Sequence, residues 1–223
     1  MKVVIQCAGQ KREAAERLRN AAGEEVVFVA RPDLCERAGA SSIRYCQPGD
    51  RVGGGLKTWR EFLVDYNRTG ENSYNLRRAA DLYRPRIYRK LVDAFGWDNV
   101  FILSAGWGLI RSAFLTPDYN ITFSSQGPPC TRRTKRLTLP LEDLNHLAAA
   151  VTSPNEPVHF FGGRDYVPLF HALTQNLAAK VIVHHKGNAP SCKCFTYEVF
   201  SCERNQNWHY DAAEAFIRSQ QTM

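Results

Sequence analysis

No apolar run in this sequence approaches the roughly 20 residues that a helix needs to cross a bilayer, so a membrane-spanning helix is not expected. The first residues, Met1-Lys2-Val3-Val4-Ile5-Gln6, enter a strand pattern directly and carry neither a long apolar region nor a small-residue cleavage site, so no signal peptide is expected. Internal repeats and low-complexity tracts are absent, and no Pro/Gly/Ser-rich linker divides the chain. The Gly-x₄-Gly-Lys-Ser/Thr phosphate loop is missing too. Gly53-Gly54-Gly55-Leu56-Lys57-Thr58 is only an echo of it and follows no apolar strand, which argues against ATP hydrolysis. The cysteines are odd in number and scattered, at Cys7, Cys35, Cys46, Cys130, Cys192, Cys194 and Cys202. Without a secretory signal they read as reduced thiols of a cytoplasmic protein. Cys192-Lys193-Cys194 is tighter than the usual zinc-ligand spacing and lacks a second pair, so no metal and no cofactor are expected.

What is present is an ordinary globular composition, with 44% hydrophobic and 23% charged residues over 223 residues, enough for one buried core. The expected organisation is a single α/β domain over residues 1–223. The formal charge is +7, from 29 basic and 22 acidic residues, which favours polyanionic partners such as nucleic acid. No protein partner is evident.

Strand patterns fall at Lys2–Cys7, Val26–Ala30, Asn99–Ser104, Val158–Phe161 and Lys180–His184, with an edge strand at Phe195–Phe200. Helical composition or spacing falls at Ala14–Ala22, Leu56–Tyr66, Leu76–Leu91, Leu141–Val151, Tyr166–Leu177 and Tyr210–Arg218, with Pro85 expected to kink or split the third of these. Arg31–Gly55 reads as a long irregular connection, and Ser104–Phe123 as a working loop after the best strand. The alternation predicts a mostly parallel central sheet covered by helices on both faces.

In such sheets ligands bind beyond the carboxyl ends of the strands. Three strand ends join small residues, which let a ligand approach the backbone, to polar or aromatic ones: Gln6-Cys7-Ala8-Gly9-Gln10-Lys11, Ser104-Ala105-Gly106-Trp107-Gly108-Leu109, and Gly162-Gly163-Arg164-Asp165-Tyr166. They predict a shared pocket. Downstream, Asp118 and Asn120 stand two apart after Pro117, on one side of an extended chain. A carboxylate beside an amide suits nucleoside chemistry, the one stabilising a developing cation or orienting water and the other reading a base edge. The alternative is an Asx-turn that only holds the loop. Thr131-Arg132-Arg133-Thr134-Lys135-Arg136 places four cations in six residues, which fits a loop on DNA phosphates, the alternative being a solvated surface loop.

Cys7-Ala8-Gly9 with Lys11, Ile102-Leu103-Ser104-Ala105-Gly106-Trp107-Gly108-Leu109, and Pro117-Asp118-Tyr119-Asn120-Ile121-Thr122-Phe123 resemble a bacterial family distantly similar to YaaA. That family's relatives include base-modification domains of uracil-DNA-glycosylase-like fold, some of them phage-defence DNA glycosylases. The resemblance implies a monofunctional DNA glycosylase that removes a modified base, of the glucosylated hydroxymethyl-cytosine type, from phage DNA. It implies Asp118 as the catalytic carboxylate with Asn120 beside it, and Asn120 and Gln6 as base-reading amides. Cys7, Gly9, Ser104, Gly106, Gly163, Asp165 and Tyr166 would join Gln6 around the base, with Trp107 and Tyr119 as stacking walls. Lys11, Arg132, Arg133, Lys135, Arg136 and Arg164 would take DNA phosphates. The chain lacks the Gly-Gln-Asp-Pro-Tyr turn and the His-Pro-Ser segment of uracil-DNA glycosylases themselves, so their catalytic scheme does not transfer. Other readings are a nucleotide or tRNA-base transferase of the same fold and a non-catalytic DNA-binding stress protein.

Overall fold

Val3, Val4 and Ile5 have no polar residue between them, a pattern that suits a strand covered on both faces. They form the middle of β1 (Lys2–Gln6) and are fully buried. The structure, a computed structural model, describes residues 1–12, 17–35, 42–134, 143–188, 195–203 and 206–222. In chain order β1 is followed by β2 (Glu25–Val29), β3 (Ile43–Cys46) and α1 (Trp59–Thr69). Next come β4 (Arg77–Arg78), α2 (Ala79–Leu82), α3 (Ile87–Phe95), β5 (Val100–Ser104), β6 (Gly108–Arg111), β7 (Leu115–Thr116) and β8 (Tyr119–Asn120). The chain continues with β9 (Leu144–Asn145), α4 (His146–Ala150), β10 (Val158–Phe161), α5 (Val167–Thr174), β11 (Val181–His185), β12 (Thr196–Val199) and α6 (Trp208–Gln221). No helix among the described residues is long and apolar enough to cross a membrane.

Seven strands make the central sheet in the order β12-β11-β10-β1-β5-β6-β9, parallel at every pairing except β5 with β6. Alternate residues of β10 show how its two faces are covered. Phe160 stacks on Phe170 of α5 at 4.1 Å, whereas its neighbours His159 and Phe161 pack on Phe216 of α6 at 4.4 and 5.4 Å. The expected α/β class and the mostly parallel sheet are therefore present. A smaller parallel sheet, β3-β2-β8, lies beyond this one, and β4 pairs with β7. One contiguous apolar cluster includes residues from both larger sheets, among them Val4 and Phe28, together with Trp107 between β5 and β6.

Pro85 does split the third helical segment, ending α2 after one turn and letting α3 restart at Ile87. Other expectations need correction. Residues 17–22 of the helix expected at Ala14–Ala22 are not helical; Ala14–Glu16 lie outside the described residues. Asn20 accepts from the backbone N–H groups of Ala22 and Glu24, and Gly23 takes a φ of 78°, so turn chemistry overrides a helix-forming composition. Arg31–Gly55 is not wholly irregular, because it contains β3.

The largest correction concerns the expected loop at Ser104–Phe123. It is a hairpin: β5 turns through Ala105-Gly106-Trp107 into β6, with Ser104 paired to Gly108. The Ser104 hydroxyl accepts from the N–H groups of Gly106 and Trp107 at 3.2 and 3.1 Å, and Gly108 takes φ 87°, as a three-residue hairpin connection requires. A Cβ on Gly108 would also lie 2.5 Å from the carbonyl oxygen of Leu144, so this glycine lets β9 join the sheet. The hairpin presents Gly106 at its tip.

Candidate functional site

β10, β1 and β5 are consecutive in the sheet and run the same way, so their carboxyl ends stand side by side. Those are the three ends that the sequence singles out. The chain places β5 on one side of β1 and β10 on the other, and such a reversal opens a crevice at the strand ends of a parallel sheet. The junctions are tied by short polar contacts. Cys7 N–H donates to the Leu103 carbonyl at 2.9 Å, and Gly163 N–H donates to Oε1 of Gln6 at 2.5 Å. The carbonyl of the Gln6 amide thus holds the β10 turn against the β1 turn. Gly9 is exposed with no atom within 4 Å of its Cβ direction.

Aromatic side chains fill much of the space between these ends. Tyr166 Oη lies 3.1 Å from Cys7 Sγ, which also accepts from the Ala105 N–H at 3.4 Å. Tyr119 Oη meets Tyr83 Oη at 2.8 Å, and its ring lies where a Cβ on Gly106 would fall. Burial, and next the neighbouring Cys7, push the phenols of Tyr83, Tyr119 and Tyr166 well above the ordinary tyrosine range, so all three are neutral. Trp107 is wholly buried, packed edge-on to Phe28 at 4.9 Å and to Tyr119 at 6.5 Å. A ring with no exposed face offers no stacking wall in this conformation, and Tyr119 is almost as deeply buried. The sequence places both rings at the right turn but does not show that core packing takes up their faces.

Asp118 meets this edge through Lys11, and Asn120 follows it in β8 of the smaller sheet. Asp118 keeps 21% of its side chain exposed; its Oδ1 accepts from the Tyr119 N–H at 2.7 Å and lies 3.5 Å from Lys11 Nζ. The Lys11 ammonium donates to the Tyr119 carbonyl and sits 4.1 Å from the centre of the Tyr119 ring. Lys11 is therefore held on three groups of the Asp118-Tyr119 segment. It is a positioning cation, and not the outward phosphate contact expected of it. Asn120 is exposed on β8, opposite Val29 of β2. Asp165 is half-buried and Arg164 exposed.

The open space is displaced toward the β5 side. A cavity of about 430 Å³ is lined by Ala105, Gly106 and Ile121, with Arg60, Arg132, Arg133 and Asp143 among its charged residues. Of the three strand ends only the one after β5 lines it, through Ala105 and Gly106, so the shared pocket expected from the sequence is not this cavity; Asp118 is not among its lining residues either. Asp143 has 1% of its side chain exposed and is gripped by Arg133 through contacts of 2.9 and 2.5 Å, with Arg60 at 3.8 Å. Arg133 also donates to the Ala105 carbonyl at 2.7 Å. Arg133 is thus turned inward as a structural cation, whereas Arg132 is exposed. Lys135 and Arg136 lie outside the described residues, as do Cys192 and Cys194.

No family model, curated protein or solved structure matches this chain. Three participants escaped the sequence reading. Tyr83 reads as one more apolar position of a helix, Arg60 as a surface residue of another, and Asp143 as part of a helical Leu-Glu-Asp-Leu run. None has a local signal, because each acquires its role from a partner more than nine positions away.

Buried imidazoles give the molecule a pH dependence of its own. His159, His184 and His209 are buried and His146 is partly so; burial is the main cause that pushes each from 6.5 down to about 4. His159 Nδ1 and His184 Nε2 are 3.1 Å apart, a contact that needs only one ring N–H. Below the unfolded value of 6.5 the unfolded chain binds protons that the folded chain takes up only near 4. The stability from these groups is thus fully present above 6.5 and is lost as pH falls toward 4. The slope is up to ~1.4 kcal/mol per pH unit for each histidine. Urea midpoints should fall between pH 7 and pH 5; equal midpoints at those two values would contradict the assignment.

Proposed function

We propose that this chain is a DNA glycosylase that hydrolyses the N-glycosidic bond of a modified base in phage DNA, of the glucosylated hydroxymethyl-cytosine type, and leaves an abasic site. The observation that carries the reading is the placement of Asp118. Its carboxylate is partly exposed beside the segment that leaves β1, the strand at the reversal point of a parallel sheet, and is oriented by Lys11 and by the Tyr119 N–H. The resemblance of the Ser104–Leu109 and Pro117–Phe123 segments to a bacterial family distantly similar to YaaA, whose relatives include base-modification domains, supports the same reading, as does the +7 charge.

In the proposed reaction the C1′–N bond breaks and a C1′–O bond forms from water. The proton released by that water ends on the departing base. Positive charge grows on the deoxyribose in the transition state, and a carboxylate already fixed nearby stabilises it without reorganisation. Asp118 supplies that charge or takes the water's proton in passing. The cavity beyond Gly106 has a volume of about 430 Å³, within the range of about 300–1,000 Å³ usual for small-molecule sites.

The test is incubation of the purified protein with glucosylated phage DNA, followed by alkali and by mass analysis of the released material. Alkali-labile strand breaks with an equal yield of free modified base are expected. Intact DNA across several modified genomes would sink the glycosylase reading, and incorporation of a new base at the vacated position would turn it into a transferase.

A further inference from the structure

The segment after β1 is bound to the segment after α2, and this brings together arginines that are distant in sequence. Arg12 N–H donates to the Leu82 carbonyl at 2.9 Å, Arg84 N–H donates to the Gln10 carbonyl at 3.2 Å, and Lys11 bridges Tyr83 in antiparallel fashion. Arg86 follows two positions later, at the start of α3. Arg12, Arg84 and Arg86 are all exposed, and none makes an ion pair with a described residue. Among the described residues, Asp118 is engaged by Lys11 at 3.5 Å, and Asp81 and Asp93 by Arg89 at 3.5 and 3.1 Å. Arg12 also lines a shallow groove of about 360 Å³ with Arg77 and Arg78, and Asp81 is its acidic wall.

Like charges with no ion-pair partner among the described residues repel one another, and they raise the local potential toward polyanions. The cluster begins one residue from the cation that orients Asp118. By contrast, Arg133 of the basic loop is turned inward onto Asp143.

We infer that Arg12, Arg84 and Arg86 form a phosphate-binding surface for the DNA backbone next to the nucleotide at Asp118. The inference rests on the reading of that edge as the site of action on DNA. Guanidinium groups suit the task because each offers several donors to phosphate oxygens, and contacts of this kind bind without regard to sequence. The partner is double-stranded DNA, and the contacts do not require a modified base.

The experiment measures binding of the full chain to an unmodified DNA duplex by fluorescence anisotropy at several salt concentrations. It compares the wild type with Arg12→Gln/Arg84→Gln/Arg86→Gln. The controls are Arg68→Gln and Arg218→Gln, which alter exposed arginines already paired with Asp65 and Glu214. The triple variant should bind about tenfold more weakly or worse, and the slope of log K against log salt should shrink by about 2–3, close to one per lost phosphate contact. The controls should keep the wild-type slope. An unchanged slope in the triple variant overturns the inference, as does equal loss in the controls. Tighter binding of an RNA duplex of the same sequence overturns the choice of DNA. If no abasic sites form on modified DNA but the slope still shrinks, the glycosylase reading fails and the phosphate surface stands. If abasic sites form and the slope is unchanged, the reverse holds.

Discussion

Asp118→Asn should lower the rate of base release by about 10²–10⁴-fold, the range for losing one positioned charge or general base from an active site. The substitution is chosen for what it keeps. An asparagine oxygen can still accept the Tyr119 N–H, a contact of 2.7 Å in the native chain, so the turn after Pro117 retains its local bond. Lys11 keeps the Tyr119 carbonyl and the ring face even after its carboxylate is gone. What disappears is the negative charge beside the segment that leaves β1. Affinity for unmodified DNA should change little, and the loss should appear in single-turnover rate at saturating protein. Were Asp118 only a loop-holding residue, the variant, which keeps the loop's local bond, would react at the wild-type rate. Lys11→Met makes the complementary case: it frees the carboxylate from its orienting cation without removing it, so a smaller loss of rate is expected. A rate loss from Asp118→Asn no larger than that from Lys11→Met would assign the effect to positioning.

The sheet was legible because its strands carry their own evidence. Val3–Ile5 and Val100–Leu103 are apolar at every position, and only a strand covered on both faces buries such a run in full. The glycine-marked strand ends were legible for a related reason, since a turn needs those residues whatever lies near it. The hairpin after β5 was not. Gly108 looks like one more flexible residue of a loop, and only the approach of Leu144, from 36 positions downstream, shows that it is required for sheet pairing. The filling of the strand-end crevice was equally hidden. Trp107 and Tyr119 have the composition of stacking walls, but side-chain type does not say which face meets Phe28 or Tyr83. The same limit applies to charge. The run from Arg132 to Arg136 announces itself by density, while Arg12 and Arg84 are joined only by backbone hydrogen bonds across some 70 residues of sequence.

Arg133→Ala should destabilise the fold by about 3–5 kcal/mol, the cost of breaking a buried ion pair from one side. Asp143 is nearly inaccessible, and Arg133 supplies both of its close contacts, at 2.9 and 2.5 Å; Arg60 at 3.8 Å cannot replace a two-pronged grip. The Ala105 carbonyl would lose its 2.7 Å donor as well, at the tip of the β5 hairpin. For a chain of this size each kcal/mol lowers the thermal midpoint by about 2–4 °C, so a fall of roughly 6–20 °C is expected. Removing both charges together in Arg133→Met/Asp143→Leu should recover much of the loss, because an apolar pair leaves no stranded carboxylate. If Arg133 instead met DNA phosphate, Arg133→Ala would leave the thermal midpoint near the wild-type value and reduce the salt slope of DNA binding by about one. The two measurements move in opposite directions under the two assignments. The geometry of Asp143 requires the first.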